Sequence, residues 1–213
     1  MKKILVFASG SKDGGGSGFK ELVEHTRTGL LPAEIVAVVS SQPEGGVFQI
    51  AKNLKVSFEY FPGLYEAEEY QKLVAKYQPD LIALSGWLKL TKGLNPAKTI
   101  NIHPGPLPRF GGQGMYGHFV HKAVMEAYKK GEVTASAVSM HFVTDEYDQG
   151  PLFFHYPVLI RPEDDAESLA KRVNEKERAW QWWATKLVLE DQISWDGQNP
   201  GSLKTPTDYP FLP

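Results

Sequence analysis

Short apolar runs that alternate with amphipathic segments dominate the first half of this 213-residue chain. The runs have the length and composition of strands that are buried on both faces, which is typical of parallel sheets. Strands are predicted at residues 4–8, 35–40, 56–61, 80–85 and 99–102, and helices at residues 19–27, 47–54 and 65–77. This alternation predicts an α/β fold built on an open, mostly parallel, twisted sheet with helices on both faces.

The pattern changes after the fifth run. Residues 118–129 are predicted to form a helix, and residues 134–143 and 152–158 are β-rich segments that form either an antiparallel pair or two strands joined through a polar loop. A long final helix is predicted at residues 165–189, where Asp164 and Glu167 suggest a capping box. We therefore predict a single domain over residues 1–190 with a β-rich C-terminal portion. Residues 191–213 are rich in Gly, Pro and Asp and predict an irregular tail.

Composition narrows the functional classes. The net charge is −2 and the pI is about 6.3, so no basic surface indicates nucleic acid binding. The chain has no cysteine, which excludes disulfides, thiolate nucleophiles and cysteine-bound metals. No apolar stretch approaches the roughly 18 residues that a membrane span needs, and no signal peptide follows Met1. These features predict a cytoplasmic protein without nucleic acid or membrane partners.

The strongest candidate for chemistry lies at the end of the fifth run. In a strand, Asn101 and His103 share one face, and Pro104 ends the strand because it has no N–H to donate. Open α/β sheets bind ligands at the carboxyl ends of their strands. An amide N–H beside an imidazole suits the stabilisation of negative charge on a reacting carbonyl oxygen. The alternative is that Asn101 satisfies loop backbone and His103 satisfies the core.

A glycine-rich loop, residues 10–18, joins the first predicted strand to the first predicted helix. Backbone N–H groups at a helix N-terminus attract anions, and glycines allow close approach to the backbone, so the loop predicts a nucleotide phosphate site. The alternative is a flexible turn. Dinucleotide binding would need an acidic residue at the end of the second strand, where Ser40 and Ser41 stand instead, so it is poorly supported.

Two acidic positions and one histidine pair remain. The loop 145–148 is either a solvated turn or the source of a carboxylate, Asp148, that orients His103 and keeps it protonated. Glu177 falls on an otherwise apolar face of the final helix, so it should be paired in a salt bridge or contact a substrate. His118 and His121 have helical spacing for two metal ligands, but no third ligand is evident, and no metal is predicted.

Taken in order, these motifs resemble the folate-dependent formyltransferase family. The likeness runs from Met1 to about Leu189 and rests on residues 101–104, 107–108 and 141–151, while residues 110–117 resemble one branch of the ribonucleotide enzymes. It implies a Rossmann-like N-terminal half and formyl transfer from the co-substrate 10-formyltetrahydrofolate to the primary amine of glycinamide ribonucleotide in purine biosynthesis. Another amine, such as a nucleotide-linked amino sugar, or a non-catalytic nucleotide- or folate-binding module, stays an alternative. The partners implied are small molecules, and a homodimer is left open.

The resemblance also implies site residues. The family's catalytic group corresponds to Asn101, His103 and Asp148, with Asn101 and His103 stabilising a tetrahedral intermediate and Asp148 assisting proton transfer. The remaining implied positions are Gly16, Ser17 and Gly18 for the substrate phosphate, Glu177 for the substrate, and Trp87, Leu88, Lys89, Leu90, Asp145, Glu146 and Tyr147 for folate. Gly18 stands where the family has Asn, and Lys89 replaces an arginine. These departures concern substrate binding more than the catalytic group.

Overall fold

The computed structural model of the protein describes residues 1–212. Its strands are β1 (Lys2–Phe7), β2 (Ala33–Ser40), β3 (Phe58–Tyr60), β4 (Leu81–Ser85), β5 (Thr99–His103), β6 (Ala135–Phe142) and β7 (Leu152–Leu159). Its α-helices are α1 (Ser17–Arg27), α2 (Gly46–Leu54), α3 (Ala67–Tyr77), α4 (His118–Lys129) and α5 (Ala166–Leu189). The strands form one seven-stranded sheet in the order β3-β2-β1-β4-β5-β6-β7.

The sheet is mostly parallel, as predicted. β1 pairs in parallel with β2 and β4, and the pairings of β2 with β3 and of β4 with β5 are also parallel. The direction changes at β6, which runs antiparallel to both β5 and β7. The two β-rich segments of the second half therefore form the antiparallel pair, and their polar connection is a loop beside β5.

Side chains of the central strands point alternately into two hydrophobic cores. In β1 and its extension, Ile4, Val6 and Ala8 face one core, and Leu5 and Phe7 face the other. The first core is covered by α1, α2, α4 and α5, whereas α3 and the aromatic side chains of Phe61 and Trp87 cover the second. Helices thus lie on both faces, but unequally. The buried β1 explains why its sequence is a continuous apolar run instead of an alternating one.

The N-terminus of α5 corrects the predicted capping box. The cap is Asp165, whose carboxylate accepts a hydrogen bond from the Ser168 N–H, while Ser168 Oγ accepts one from the Asp165 N–H. Asp164 accepts hydrogen bonds from the Arg161 N–H and the Arg172 guanidinium instead. The prediction of Asp164 with Glu167 was wrong by one residue because adjacent aspartates offer the same local signal.

The C-terminal tail is irregular in its backbone yet well packed. Ile193 is fully buried, and Trp195 contacts Phe142 of β6. Near the end, Phe211 packs on Phe154 of β7, and the Phe211 carbonyl accepts a hydrogen bond from the His155 N–H. The domain boundary at residue 190 stays a prediction, and Pro213, the last residue of the predicted tail, lies outside the described residues. Over residues 1–212 no helix has the length and apolar character required to cross a membrane.

Candidate active site

A cleft of about 840 Å³ opens at the carboxyl ends of β1, β4 and β5. β1 lies between β2 and β4, so the direction in which successive strands are added reverses between β1 and β4. Ligands of open α/β sheets bind at such a reversal. The walls come from the glycine-rich loop, residues 84–91, 112–118, 143–144 and 146–148, and one face of α5.

The three predicted catalytic residues meet in this cleft. Asp148 Oδ1 lies 3.4 Å from Asn101 Nδ2, and its Oδ2 lies 3.7 Å from His103 Nδ1. The second distance is slightly longer than a hydrogen bond. Asn101 and His103 both line the cleft from β5, and the loop after β6 supplies Asp148. Residues that are far apart in the chain therefore form one polar group.

A fourth member, His141, was missed by the sequence argument. It is buried on β6 directly opposite Asn101, and its Nε2 lies 3.2 Å from Asp148 Oδ1 and 3.1 Å from Asn101 Nδ2. Its Nδ1 donates to the Phe142 carbonyl at 2.7 Å. In the neutral ring Nε2 therefore accepts from Asn101, and in the charged ring it donates to Asp148. The signal available in the sequence was a lone histidine in an apolar strand just before the acidic loop.

His103 is held by its backbone contact. Its Nε2 donates to the Phe110 carbonyl at 2.8 Å, which leaves Nδ1 as the nitrogen that exchanges a proton, on the side facing Asp148. Burial lowers the pKa of His103 and outweighs the opposing effect of the Asp148 charge. The expectation of a protonated resting His103 is thus corrected to a neutral imidazole, because the loss of solvent disfavours the charged form more than the carboxylate favours it.

The loop conformation presents Asp148 as a charged acceptor. The residue has φ 56°, a left-handed conformation that aspartate and asparagine tolerate better than most residues. Its Oδ2 accepts a hydrogen bond from the Gly112 N–H at 2.9 Å. Burial alone would raise the pKa of Asp148, but the hydrogen bonds with His141 and with the Gly112 N–H help to lower it below its ordinary value.

Comparison with known proteins identifies the family of the chain. A family model described as "Formyl transferase" matches residues 2–185.

The chain belongs to the formyl transferase family.

Two curated relatives are named phosphoribosylglycinamide formyltransferase. The one from Bacillus subtilis is 30% identical over 199 residues, covering 89% of this chain and 95% of the relative. The chloroplastic one from Arabidopsis thaliana is 33% identical over 206 residues, covering 91% of this chain and 68% of the relative. The crystal structure of glycinamide ribonucleotide transformylase 1 from Symbiobacterium toebii shares the fold, with TM-score 0.81, 24% identity, and coverage of 97% of this chain and 94% of the other.

The glycine-rich loop of this formyl transferase leads into α1. Gly16 has φ 85° and precedes Ser17, and the first intrahelical hydrogen bond runs from the Lys20 N–H to the Gly16 carbonyl. The N–H groups of residues 17–19 therefore have no partner within the helix. A Cβ on Gly15 would lie 2.6 Å from Gly10 Cα, so the loop folds back on itself in a way that only glycine allows.

Glu177 lies beside this loop, half-buried on the face of α5 that lines the cleft. Its Oε2 accepts a hydrogen bond from Asn174 Nδ2 at 3.2 Å, and Asn174 reaches Ser17 Oγ at 3.5 Å. The neighbouring Arg178 pairs with Glu21 instead. Within residues 1–212 Glu177 has no cationic partner, so the predicted salt bridge is not formed. Burial raises the pKa of Glu177 to about 7.

Replacement of Glu177 by glutamine should stabilise the protein at high pH. The raised pKa means that the folded state favours the protonated carboxyl, a contribution that is present at low pH and lost as pH rises through about 7. We expect the Glu177→Gln variant to gain melting temperature over the native chain at pH 8.5, and to gain less or nothing at pH 5.5. Thermal unfolding of both proteins, with exposed Glu175→Gln as the control, measures this. An equal difference at both pH values contradicts it.

The predicted folate residues line the formyl transferase cleft, with one exception. Leu88 and Tyr147 are exposed at its mouth, and Trp87 forms a buried floor, where its Nε1 donates to the Tyr70 hydroxyl at 3.1 Å. Asp145 does not line the cleft, because its carboxylate accepts a hydrogen bond from the Gly93 N–H. The other predicted folate residues that line the cleft are Lys89, Leu90 and Glu146.

In the part of the chain that the structure describes, no group of three His, Asp or Glu side chains is arranged so that it could hold a metal ion. His118 and His121 both line the cleft but differ in setting, since His118 is exposed and His121 is buried. Burial lowers the pKa of His121 to about 4, so the ring is neutral.

Proposed function

We propose that this formyl transferase moves the formyl group of 10-formyltetrahydrofolate to the primary amine of glycinamide ribonucleotide in purine biosynthesis. The observation that carries the proposal is the convergence of Asn101, His103 and Asp148 in one cleft. The glycine-rich loop, whose free N–H groups can attract an anion, lines the same cleft as residues 84–91. The names of the curated relatives support the same acceptor.

The acceptor amine forms a bond to the formyl carbon, and the carbonyl electron pair moves to oxygen. Neutral His103 takes the proton of the attacking amine at Nδ1, the nitrogen that is not held by the Phe110 carbonyl. When the intermediate collapses, the carbonyl reforms, the bond to the folate nitrogen breaks, and that nitrogen receives the proton from His103. The enzyme returns to its starting protonation state.

Asn101 supplies the first donor to the developing oxyanion. One N–H of its carboxamide is directed at His141 and Asp148, which fixes the plane of the group and leaves the second N–H for the substrate. A donor that is held in place before the reaction costs little reorganisation when charge develops. Protonated His103 becomes the second electrostatic partner of the oxyanion.

Asp148 favours the imidazolium that forms during the reaction. Its carboxylate is already ionised at rest, and its Oδ2 faces His103 Nδ1 across 3.7 Å. This gap admits direct contact after a small movement or a bridging water. Asp148 therefore stabilises the protonated form of His103, which exists only while the tetrahedral intermediate is present.

The two substrates are assigned to opposite ends of the cleft. We place the phosphate at Gly16, Ser17 and Gly18, where the free N–H groups of α1 point toward it, and a sugar hydroxyl at Glu177. The folate lies along Trp87, Leu88, Lys89 and Leu90 and against Glu146 and Tyr147. The formyl carbon then falls between the two ends, next to the catalytic group.

A release assay tests the function. The protein is incubated with 10-formyltetrahydrofolate, with and without glycinamide ribonucleotide, and the appearance of tetrahydrofolate is followed. We expect release that depends on the ribonucleotide. Release without any acceptor indicates a hydrolase, tight binding without release indicates a binding module, and release only with a nucleotide-linked amino sugar indicates a different acceptor. Any of these three results overturns the proposal.

The proposal includes the setting in which the enzyme works. We propose small-molecule substrates only, with neither nucleic acid nor membrane as partner, in the cytoplasm. The net charge of −2 supports the first part, because phosphate backbones attract basic surfaces. A homodimer is left open, and light scattering after size-exclusion chromatography measures the oligomeric state.

A further inference from the structure

Three residues from three separate elements fit together at the end of the glycine-rich loop. Gly18 belongs to the first turn of α1, Ser85 ends β4, and Gln181 lies on α5. Ser85 Oγ donates a hydrogen bond to Gln181 Oε1 at 3.1 Å. A Cβ on Gly18 would lie 2.3 Å from Ser85 Oγ and 2.5 Å from Gln181 Oε1. The absence of a side chain at position 18 is therefore required by the Ser85–Gln181 pair.

This contact accounts for the departure at position 18. The resemblance leads one to expect Asn there, and an asparagine would occupy the space that the Gln181 carboxamide fills. A side-chain amide is thus present at this place, but it comes from α5 instead of α1. The hydrogen bond from Ser85 fixes the orientation of the Gln181 carboxamide, whereas a glutamine on the surface would have no such restraint.

Gln181 is 1% exposed, and it lines the cleft. Its Nε2 has no hydrogen-bond partner among residues 1–212. The atom is not fully enclosed, so water or a ligand can reach it. Because a fully enclosed amide N–H without a partner is costly, this group is expected to face the cleft and to be satisfied by water or a ligand. It offers two N–H donors to whatever binds there.

The position of Gln181 limits what it can bind. It lies one helical turn after Glu177 on the same face of α5, and its carboxamide is next to Gly18 in the glycine-rich loop. An uncharged donor between an anion site and a carboxylate suits an oxygen of a sugar phosphate. Its neighbours Gly18 and Glu177 belong to the proposed acceptor end of the cleft, so the acceptor is its expected partner.

We propose that Gln181, held by Ser85, is a specificity-determining residue that donates a hydrogen bond from Nε2 to the ribosyl-phosphate part of the acceptor. This inference rests on the proposed function, since it names a contact of the same acceptor.

Replacement of Gln181 by methionine tests the contact, because methionine keeps the length of the side chain and removes the donor. We expect the KM for glycinamide ribonucleotide to rise roughly tenfold, the loss of about one hydrogen bond. The KM for 10-formyltetrahydrofolate should stay within twofold. Gln192→Met, at an exposed glutamine outside the cleft, is the matched control and should change neither value.

Binding without turnover gives a second readout. Isothermal titration with ribose 5-phosphate should show the same relative loss of affinity for Gln181→Met as the full acceptor shows. Weakened binding of the ribonucleotide with unchanged binding of ribose 5-phosphate overturns the assignment to the ribosyl phosphate. Melting temperatures within a few degrees of the native chain establish that the variant is folded.

A double-mutant cycle guards against a variant that is merely unstable. Gly18→Ala should displace the Ser85–Gln181 pair and raise the acceptor KM by itself. If both changes act through Gln181, the double variant should bind the acceptor no worse than Gln181→Met alone. Fully additive losses overturn the inference.

The two proposals fail in different ways. If the native protein shows no release that depends on the ribonucleotide, the proposed function is wrong. If the native protein is active and Gln181→Met retains the native KM for the acceptor, only the role of Gln181 is wrong.

Discussion

Replacement of Asp148 by asparagine should lower kcat by about 10²–10⁴-fold, the range expected when a proton-transfer group is lost. The variant keeps an oxygen for the Gly112 N–H, and asparagine tolerates the left-handed backbone at this position, so we expect it to fold. What it loses is the negative charge that favours the His103 imidazolium. The defect should therefore appear in turnover, with the KM for folate little changed.

Single-turnover kinetics with both substrates measure this effect, and Asp145→Asn is the matched control. Asp145 belongs to the same loop but lies off the cleft, where its carboxylate accepts a hydrogen bond from the Gly93 N–H. The control should retain kcat within a few fold. Near-native turnover by the Asp148 variant would remove this carboxylate from the mechanism.

Replacement of Asn101 by alanine should lower kcat by about 10²–10³-fold, as expected for the loss of one oxyanion donor. The interaction develops in the transition state, so kcat and kcat/KM should fall together while substrate binding stays nearly constant. The residue is half-buried, and its removal leaves His141 Nε2 with Asp148 as its remaining partner. We expect only a modest loss of stability.

The same kinetic measurement, together with thermal unfolding, tests the Asn101 variant. Asn95→Ala is the control, because the Asn95 side chain also makes a hydrogen bond, accepting from the Ala97 N–H, but it caps a short helical turn away from the cleft. A rise in KM with unchanged kcat would show that Asn101 binds the ground state, which contradicts an oxyanion role.

The fold was predictable where local sequence decides it. The positions of β1, β2, β4 and β5 could be predicted from composition and spacing, because each is a mostly apolar run whose side chains are stable only when buried. β3 is shorter than predicted, because it lies at the end of the sheet and pairs on one side only. Adjacent aspartates misplaced the cap of α5 by one residue.

The site was predictable only in part. Asn101 and Glu177 stood out because a polar residue interrupted an apolar pattern. His141 and Gln181 did not, because their roles arise from pairings across the sheet and between α5 and the loops, which no local pattern records. The predicted charge state of His103 was also wrong, because it depends on how deeply the fold buries the ring.

The last residues of the chain have a consequence for handling the protein. β7 is one of the two outer strands of the sheet, and such strands carry backbone groups that can recruit a strand of another molecule and start aggregation. The hydrogen bond from the His155 N–H to the Phe211 carbonyl and the stacking of Phe211 on Phe154 cover part of the outer edge of β7 with residues of the same chain. Changes to Phe211 are therefore expected to uncover this edge and to promote aggregation.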